Sequence, residues 1–113
     1  MSIASDLIRG HTEAIILAVL IIKNSYGYEI NKIIYEKTDN AFELKEATLY
    51  TAFRRLEESG CIKSYWGDES TGARRRYYMI TDTGKELYRK NLSEWRTTKR
   101  LIDKLLRTED EAQ

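Results

Sequence analysis

Between Lys45 and Arg76 the chain gathers side chains that can grip a polyanion and read a base edge. Lys45, Thr48, Tyr50, Thr51, Arg54 and Arg55 fall close together, Lys63 follows, and Arg74, Arg75 and Arg76 stand in a row. Ammonium and guanidinium groups bind phosphate oxygens, while hydroxyls and guanidinium forks also meet base edges in a DNA major groove. Little else in the chain could do chemistry. The nucleophile and base candidates are Cys61 and His11, with nothing local to orient either. A single histidine without a Cys/His cluster makes no metal site. Gly60, Gly67, Gly72 and Gly84 match no phosphate-cradling loop. The carboxylates alternate with Lys and Arg as on solvated helix faces. No catalytic residue, metal or cofactor is therefore expected, and the chain is not read as an enzyme.

The basic stretch needs elements to hold it. Leu49, Phe53 and Leu56 recur at spacings of four and three, the period of a helix with one apolar seam. Ala47, Tyr50, Thr51, Arg54 and Glu58 fall on the opposite face, with Thr48 and Arg55 on the flanks. Gly60 supplies the stop, since glycine takes the left-handed conformation without a Cβ clash. Ile62 to Trp66 and Arg74 to Ile80 are rich in aromatic and β-branched residues, and the segment 67–72 between them is a turn signal. Strand alternation sends Arg75 to one face and Arg74 and Arg76 to the other, so at least one arginine reaches outward. An ordinary surface helix could carry the first set, and a charged run that discourages edge pairing could explain the second. Helix, tight stop, hairpin and arginine-loaded tip together form the order of a winged helix-turn-helix.

The totals allow this and constrain it. A chain of 113 residues is one domain with a modest core, which dimerisation would help. Net charge is only +1. The isoelectric point of 7.8 lies below the value of about 9 usual for a DNA-binding domain. The basic groups must therefore act locally, and a dimer presents them twice. The single cysteine, Cys61, permits no intrachain disulfide, which fits a reducing cytoplasm. In its apolar setting it reads as a small buried hydrophobe. No basic segment followed by an apolar core opens the chain, so no signal peptide is expected. The apolar run from Ala14 to Ile22 is too short to span a bilayer.

In chain order, a short lead-in to Arg9 is broken by Gly10 and His11. Thr12 to Lys23 reads as a first helix that is apolar nearly all round, and so covered on most sides. Ser25 is the expected N-cap of a second helix from Tyr26 to Lys37, in which Gly27 lets something pack closely. Thr38, Asp39 and Asn40 end it. Phe42-Glu43-Leu44 alternates and is expected as a short first strand completing a three-stranded sheet with the hairpin. Thr81 is the expected N-cap of a last helix running to about Arg107. Tyr88, Leu92, Trp95, Ile102 and Leu105 form one stripe along it, interrupted at Thr98-Lys99, and the stripe calls for a partner. The fold is therefore mainly α with a small β-hairpin or sheet. A winged helix-turn-helix with its N-terminal helix occupies residues 1–80, a dimerisation helix 81–107 and a frayed tail 108–113, in one compact unit.

Several stretches also resemble a known family. They are Tyr26-Gly27-Tyr28-Glu29-Ile30, Ala47-Thr48-Leu49-Tyr50, Arg55-Leu56-Glu57, Tyr65-Trp66-Gly67-Asp68-Glu69, Arg75-Arg76-Tyr77-Tyr78 and Ile80-Thr81-Asp82-Thr83-Gly84. Together they look like the PadR family of bacterial transcriptional regulators, and within it the small subgroup typified by the lactococcal multidrug-binding repressor. The resemblance runs from about Leu7 to Leu106. It implies a pocket at the dimer centre, where planar aromatic molecules stack between the tryptophans matching Trp95. Carried over by position, the pocket includes Trp95 and Leu92, with Leu7, Ile8, His11 and Ala14. Two departures matter. Leu92 stands where the relative has Phe, which removes an aromatic wall. Lys99 stands where it has an acid, which opens the pocket to neutral or anionic ligands, although Glu94 and Asp103 could still supply negative charge.

The resulting expectation is a cytoplasmic, homodimeric repressor on a pseudo-palindromic operator. Residues 45–55 enter the major groove of double-stranded DNA, with Tyr50, Thr51 and Arg54 as leading contacts and Lys45 and Thr48 next. Arg74 and Arg75 hold phosphates or probe the minor groove. The resemblance also implies a planar aromatic effector bound between the subunits. The competing expectations are a winged helix that binds a protein, and a protein that sequesters aromatic molecules without specific DNA binding.

Overall fold

The computed structural model describes residues 7–67 and 74–106. Residues 7–9 are helical and turn at Gly10 and His11 into α1 (Thr12–Leu20). Then follow β1 (Ser25–Tyr26), α2 (Gly27–Lys37), α3 (Glu46–Glu58), β2 (Ile62–Trp66), β3 (Arg76–Ile80) and the long α4 (Asp82–Leu105). The three strands form an antiparallel sheet in the order β1-β3-β2. Helices α1 to α3 with this sheet make the body, and the architecture is the expected mainly helical one.

The apolar pattern builds one core. Ile16, Leu17 and Leu20 of α1 are essentially inaccessible, and Ile30, Leu49, Phe53 and Leu56 meet them from α2 and α3. From the sheet, Ile62 and Tyr78 close the core. Phe53 stacks on Tyr78 with ring centroids 4.0 Å apart and planes 20° from parallel, an arrangement favourable beyond its area alone. Cys61 is buried, as a small hydrophobe would be.

Two starts and stops lie where the sequence places them. Gly60 adopts φ +76° just after α3, a conformation that costs a side-chain-bearing residue energy. The Thr81 hydroxyl accepts a hydrogen bond from the Gly84 amide at 3.1 Å and caps α4. Its own hydroxyl proton goes to the Gly60 carbonyl at 2.6 Å, tying the end of α3 to the start of α4.

Three expectations are corrected. Helix α1 ends at Leu20 rather than Lys23, and residues 21 and 22 form a turn. Ser25 is not a cap: it lies fully buried in β1, opposite Tyr78, and its hydroxyl bonds the Lys23 carbonyl. The third strand is therefore Ser25–Tyr26 and not Phe42–Leu44. The latter segment alternates, but its backbone groups are satisfied elsewhere. The Phe42 amide donates to the Thr38 hydroxyl at 3.1 Å. Asn31 brackets Leu44, accepting from its amide at 2.8 Å and donating to its carbonyl at 2.7 Å. With the Phe42 and Leu44 groups already paired, the segment cannot present them to a sheet edge.

Half of α4 lies against the body. Leu87 and Tyr88 pack on the core, whereas Leu101, Ile102, Leu105 and Leu106 are exposed. A helix of 24 residues spans about 36 Å and contributes to the elongated shape, 60 Å against 29 and 21 Å. The expected end near Arg107, the tail and the 68–73 tip of the hairpin lie outside the described residues.

Candidate nucleic-acid interface

Helix α3 turns the expected face outward. Leu49, Ala52, Phe53 and Leu56 are buried, while Ala47, Tyr50, Thr51, Arg54 and Glu58 are exposed. Lys45 immediately precedes it in extended conformation. Asn31 holds the Leu44 backbone, and so fixes where the chain enters α3. Sequence reading did not single out Asn31, because one polar residue on a helix carries no periodic signal.

Tyr50 is only half free. Its ring meets Phe53 edge-to-face at 5.4 Å, and a Cβ at Gly27 would lie 2.8 Å from its hydroxyl oxygen. Gly27 thus gives Tyr50 room across the start of α2, which is the close packing its position suggested. Arg54 is exposed and makes no ion pair or hydrogen bond among the described residues. Arg55 is different: its Nε lies 3.7 Å from a Glu13 carboxylate oxygen on α1.

The arginine row divides between the two faces of the sheet. Tyr26, Tyr77 and Tyr65 stand side by side across β1, β3 and β2. Tyr77 stacks on Tyr65 and meets Tyr26 edge-to-face. The Arg75 guanidinium lies over the Tyr26 ring at 4.8 Å. On the other face Arg76 donates to Glu57 of α3 at 3.2 Å, and Arg74 lies 4.7 Å from the Trp66 ring centroid. Rings under guanidinium groups supply cation–π contacts that orient them. Lys63 is exposed on β2. Burial pushes the Tyr78 hydroxyl above its ordinary value of 10.0, opposed by Arg76 and assisted by Glu57 and Tyr50.

A second feature adjoins α3. An open cleft of about 820 Å³ is walled by His11, Glu13, Thr48, Thr51, Arg55 and Trp95, among others. His11 meets Trp95 edge-to-face at 5.1 Å and 68°. Of the residues carried over for a ligand pocket, Trp95, His11 and Ala14 line this cleft. Leu92 lines a separate shallow depression beside Arg89, Arg96 and Arg100. Leu7 and Lys99 are exposed and Ile8 is half-buried, and none of the three is in the cleft wall. Sequence reading did not foresee that Trp95 and α3 would share one cleft. Among the described residues no helix is long and apolar enough to cross a membrane. Nor does any group of three or more His, Cys, Asp or Glu among them gather as if to hold a metal.

The arrangement of an outward polar helix beside an arginine-bearing hairpin has close counterparts. Residues 16–90 match the model of the transcriptional regulator PadR-like family. The chain belongs to the PadR-like family. A transcriptional regulator from Clostridium thermocellum is 50% identical and superposes with a TM-score of 0.83, over 91% of this chain and all of that one. A PadR family transcription regulator from Clostridium difficile is 39% identical with a TM-score of 0.77, over 87% of this chain and all of that one. An uncharacterised protein of Lysinibacillus sphaericus is 46% identical over 101 residues, 89% of this chain and 93% of its own length. In PadR terms, β2 and β3 are the wing and the fold is a winged helix with a long C-terminal helix.

Proposed function

We propose that this PadR-like protein is a homodimeric repressor that binds a pseudo-palindromic DNA operator. The observation that carries the reading is the exposed face of α3, with Thr51 and Arg54 unencumbered beside a wing that bears Arg74 and Arg75. Tyr50, Thr51 and Arg54 read the major groove, supported by Lys45 and Thr48. Arg74, Arg75 and Lys63 hold backbone phosphates. Arg55 joins them once released from Glu13. The exposed apolar end of α4, with Leu101, Ile102, Leu105 and Leu106, supports a second copy of the chain as partner. Two-fold symmetry then sets two half-sites about one helical turn apart.

A planar aromatic effector is the further part of this reading. Its support is the His11–Trp95 ring pair in the wall of the cleft. An aromatic ligand there finds two rings, with Glu13 and Glu94 offset by Arg9 and Arg55. A ligand changes DNA affinity only if it prefers one geometry of the protein over another.

The test is fluorescence anisotropy with a duplex from the region upstream of the protein's own coding sequence, beside a shuffled duplex, over a range of salt. Tight binding to the native duplex and weak binding to the shuffled one is expected, with affinity falling as salt rises. Equal, weak binding to both, repeated with operator candidates selected from a random pool, rejects the reading.

A further inference from the structure

Glu57 sits near the end of α3, where the helix passes the wing. Its carboxylate takes donors from both wing strands. The Ser64 hydroxyl of β2 donates to Oε2 at 3.0 Å, and the Arg76 guanidinium of β3 donates to Oε1 at 3.2 Å and to Oε2 at 3.3 Å. The register explains how one side chain reaches both. Ser64 pairs with Tyr78 and Trp66 with Arg76, so Ser64, Tyr78 and Arg76 share the face that looks toward α3. Below the carboxylate the contact continues through rings. The Arg76 guanidinium lies 5.7 Å from the Tyr78 ring centroid, and Tyr78 stacks on Phe53 of α3.

We propose that Glu57 is the positioning residue that sets the angle between the α3 helix and the wing, and thereby brings Arg54 and Arg75 onto one stretch of operator. The inference rests on the DNA-binding reading above. An ionised carboxylate accepts three hydrogen bonds at once, one from Ser64 and two from Arg76 Nη2, which an amide or a hydroxyl oxygen cannot match. The ion pair itself is partly exposed, with side-chain accessibilities of 48% for Arg76 and 29% for Glu57. A pair that wet contributes little to folding. Its effect is directional: it ties both wing strands to the end of α3 beside the Phe53–Tyr78 stack. It also separates two adjacent arginines by role. Arg76 faces the helix and holds the wing, whereas Arg75 faces the other way over Tyr26.

The experiment compares wild type, Glu57→Gln, Arg76→Gln and the double variant on the native and shuffled duplexes, with thermal melts alongside. Glu57→Gln keeps the shape and the Ser64 contact but loses the charge that gathers Ser64 and Arg76 together. Each single variant is expected to melt close to wild type and to lose operator affinity about tenfold, the scale of one good base contact. Binding to the shuffled duplex stays within about twofold, because general phosphate attraction does not depend on the wing angle. The double variant loses no more than either single one, as residues acting as a unit do. Additive losses overturn the inference, as does unchanged operator affinity in both singles. Higher affinity with a steeper salt dependence in Glu57→Gln also overturns it, since Glu57 would then be masking a phosphate contact of Arg76. Should one single variant fail to fold, the other reports alone through its ratio of operator to shuffled affinity. Wild type that distinguishes neither the native duplex nor operator candidates selected from a random pool from the shuffled one removes the DNA-binding reading and the inference with it. Wild-type discrimination with unaltered variants removes the inference alone.

Discussion

Replacing Glu13 by Gln should strengthen DNA binding, although Glu13 lies on α1 and not on the proposed interface. The Glu13 carboxylate is 3.7 Å from Arg55 Nε, with side-chain accessibilities of 37% and 71%. At that separation two unit charges attract by about 1 kcal/mol in water. Solvent exposure and the entropy of two long side chains reduce the net value to about 0.5 kcal/mol. Arg55 must leave this pair to reach a phosphate, so each subunit bears that cost on binding. Without Glu13 a dimer recovers about 1 kcal/mol, or about fivefold in affinity. A larger change is expected in salt dependence if Arg55 in wild type remains partly withheld. Two fully engaged arginines add up to about 1.8 to the magnitude of the slope of log K against log salt.

The assay is the anisotropy titration, run on wild type, Glu13→Gln, Arg55→Gln and the double variant between about 50 and 200 mM salt, where phosphate contacts dominate the response. Glu13→Gln should bind more tightly, Arg55→Gln less tightly, and the double variant should match Arg55→Gln. The melting temperature should move by less than about 4 °C, given the small net value of the pair. If Glu13→Gln raises affinity equally in the presence and absence of Arg55, the gain is only the removal of a negative charge near DNA. If neither variant changes affinity or slope, Arg55 does not touch phosphate and the reasoning fails.

Two further outcomes follow from the fold. Burial raises the Tyr78 hydroxyl above 10.0, so the folded state holds its proton where the unfolded chain releases it. Stability from this group is complete below the unfolded value and is lost as pH rises above it toward the folded value. Urea midpoints measured upward through pH 10.0 should fall more steeply for wild type than for Tyr78→Phe, and parallel curves would contradict this. At the far end of α4, Ile102→Glu places a charge in the exposed apolar stripe. Sedimentation should show the protein shift from dimer to monomer, and operator affinity should fall with it. A persistent dimer would place the subunit interface elsewhere.

Much of the fold was legible because it rests on local rules. The seam Leu49, Phe53, Leu56, the stop at Gly60, the strand Ile62–Trp66 and the cap at Thr81 each follow from neighbours in sequence. The misplaced strand had no such basis. Ser25–Tyr26 is too short to show alternation and is a strand because the edge of β3 is open to it. Phe42–Leu44 alternates, yet Thr38 and Asn31 take its backbone groups. The site behaves the same way. Arg54 and Arg55 are the same residue type side by side, as are Arg75 and Arg76. The positions of Glu13 and Glu57 decide which guanidinium of each pair is held by a carboxylate. Both partners are distant in sequence, and nothing in residue type or spacing announces them.

The shared cleft makes the relation between ligand and operator testable without knowing either in nature. Trp95 and His11 stand in its wall together with Thr48, Thr51 and Arg55 of α3. A planar aromatic molecule against Trp95 therefore lies beside the helix proposed to enter DNA, and its effect need not pass through the dimer contact. Coupling of binding free energies is reciprocal: whatever factor the ligand removes from operator affinity, operator removes from ligand affinity. Quenching of Trp95 by a panel of cationic, neutral and anionic planar dyes measures one side, with Trp66→Phe removing the other indole. Repeating the titration with saturating operator should raise the dye dissociation constant between about 5-fold and 150-fold, the usual span of allosteric coupling. The same dye should weaken operator binding by the same factor. With Glu13 and Glu94 balanced by Arg9 and Arg55 in the wall, ring shape should govern the ranking of dyes more than charge. A dye that quenches Trp95 yet leaves operator affinity unchanged would show that the cleft holds ligands without governing α3.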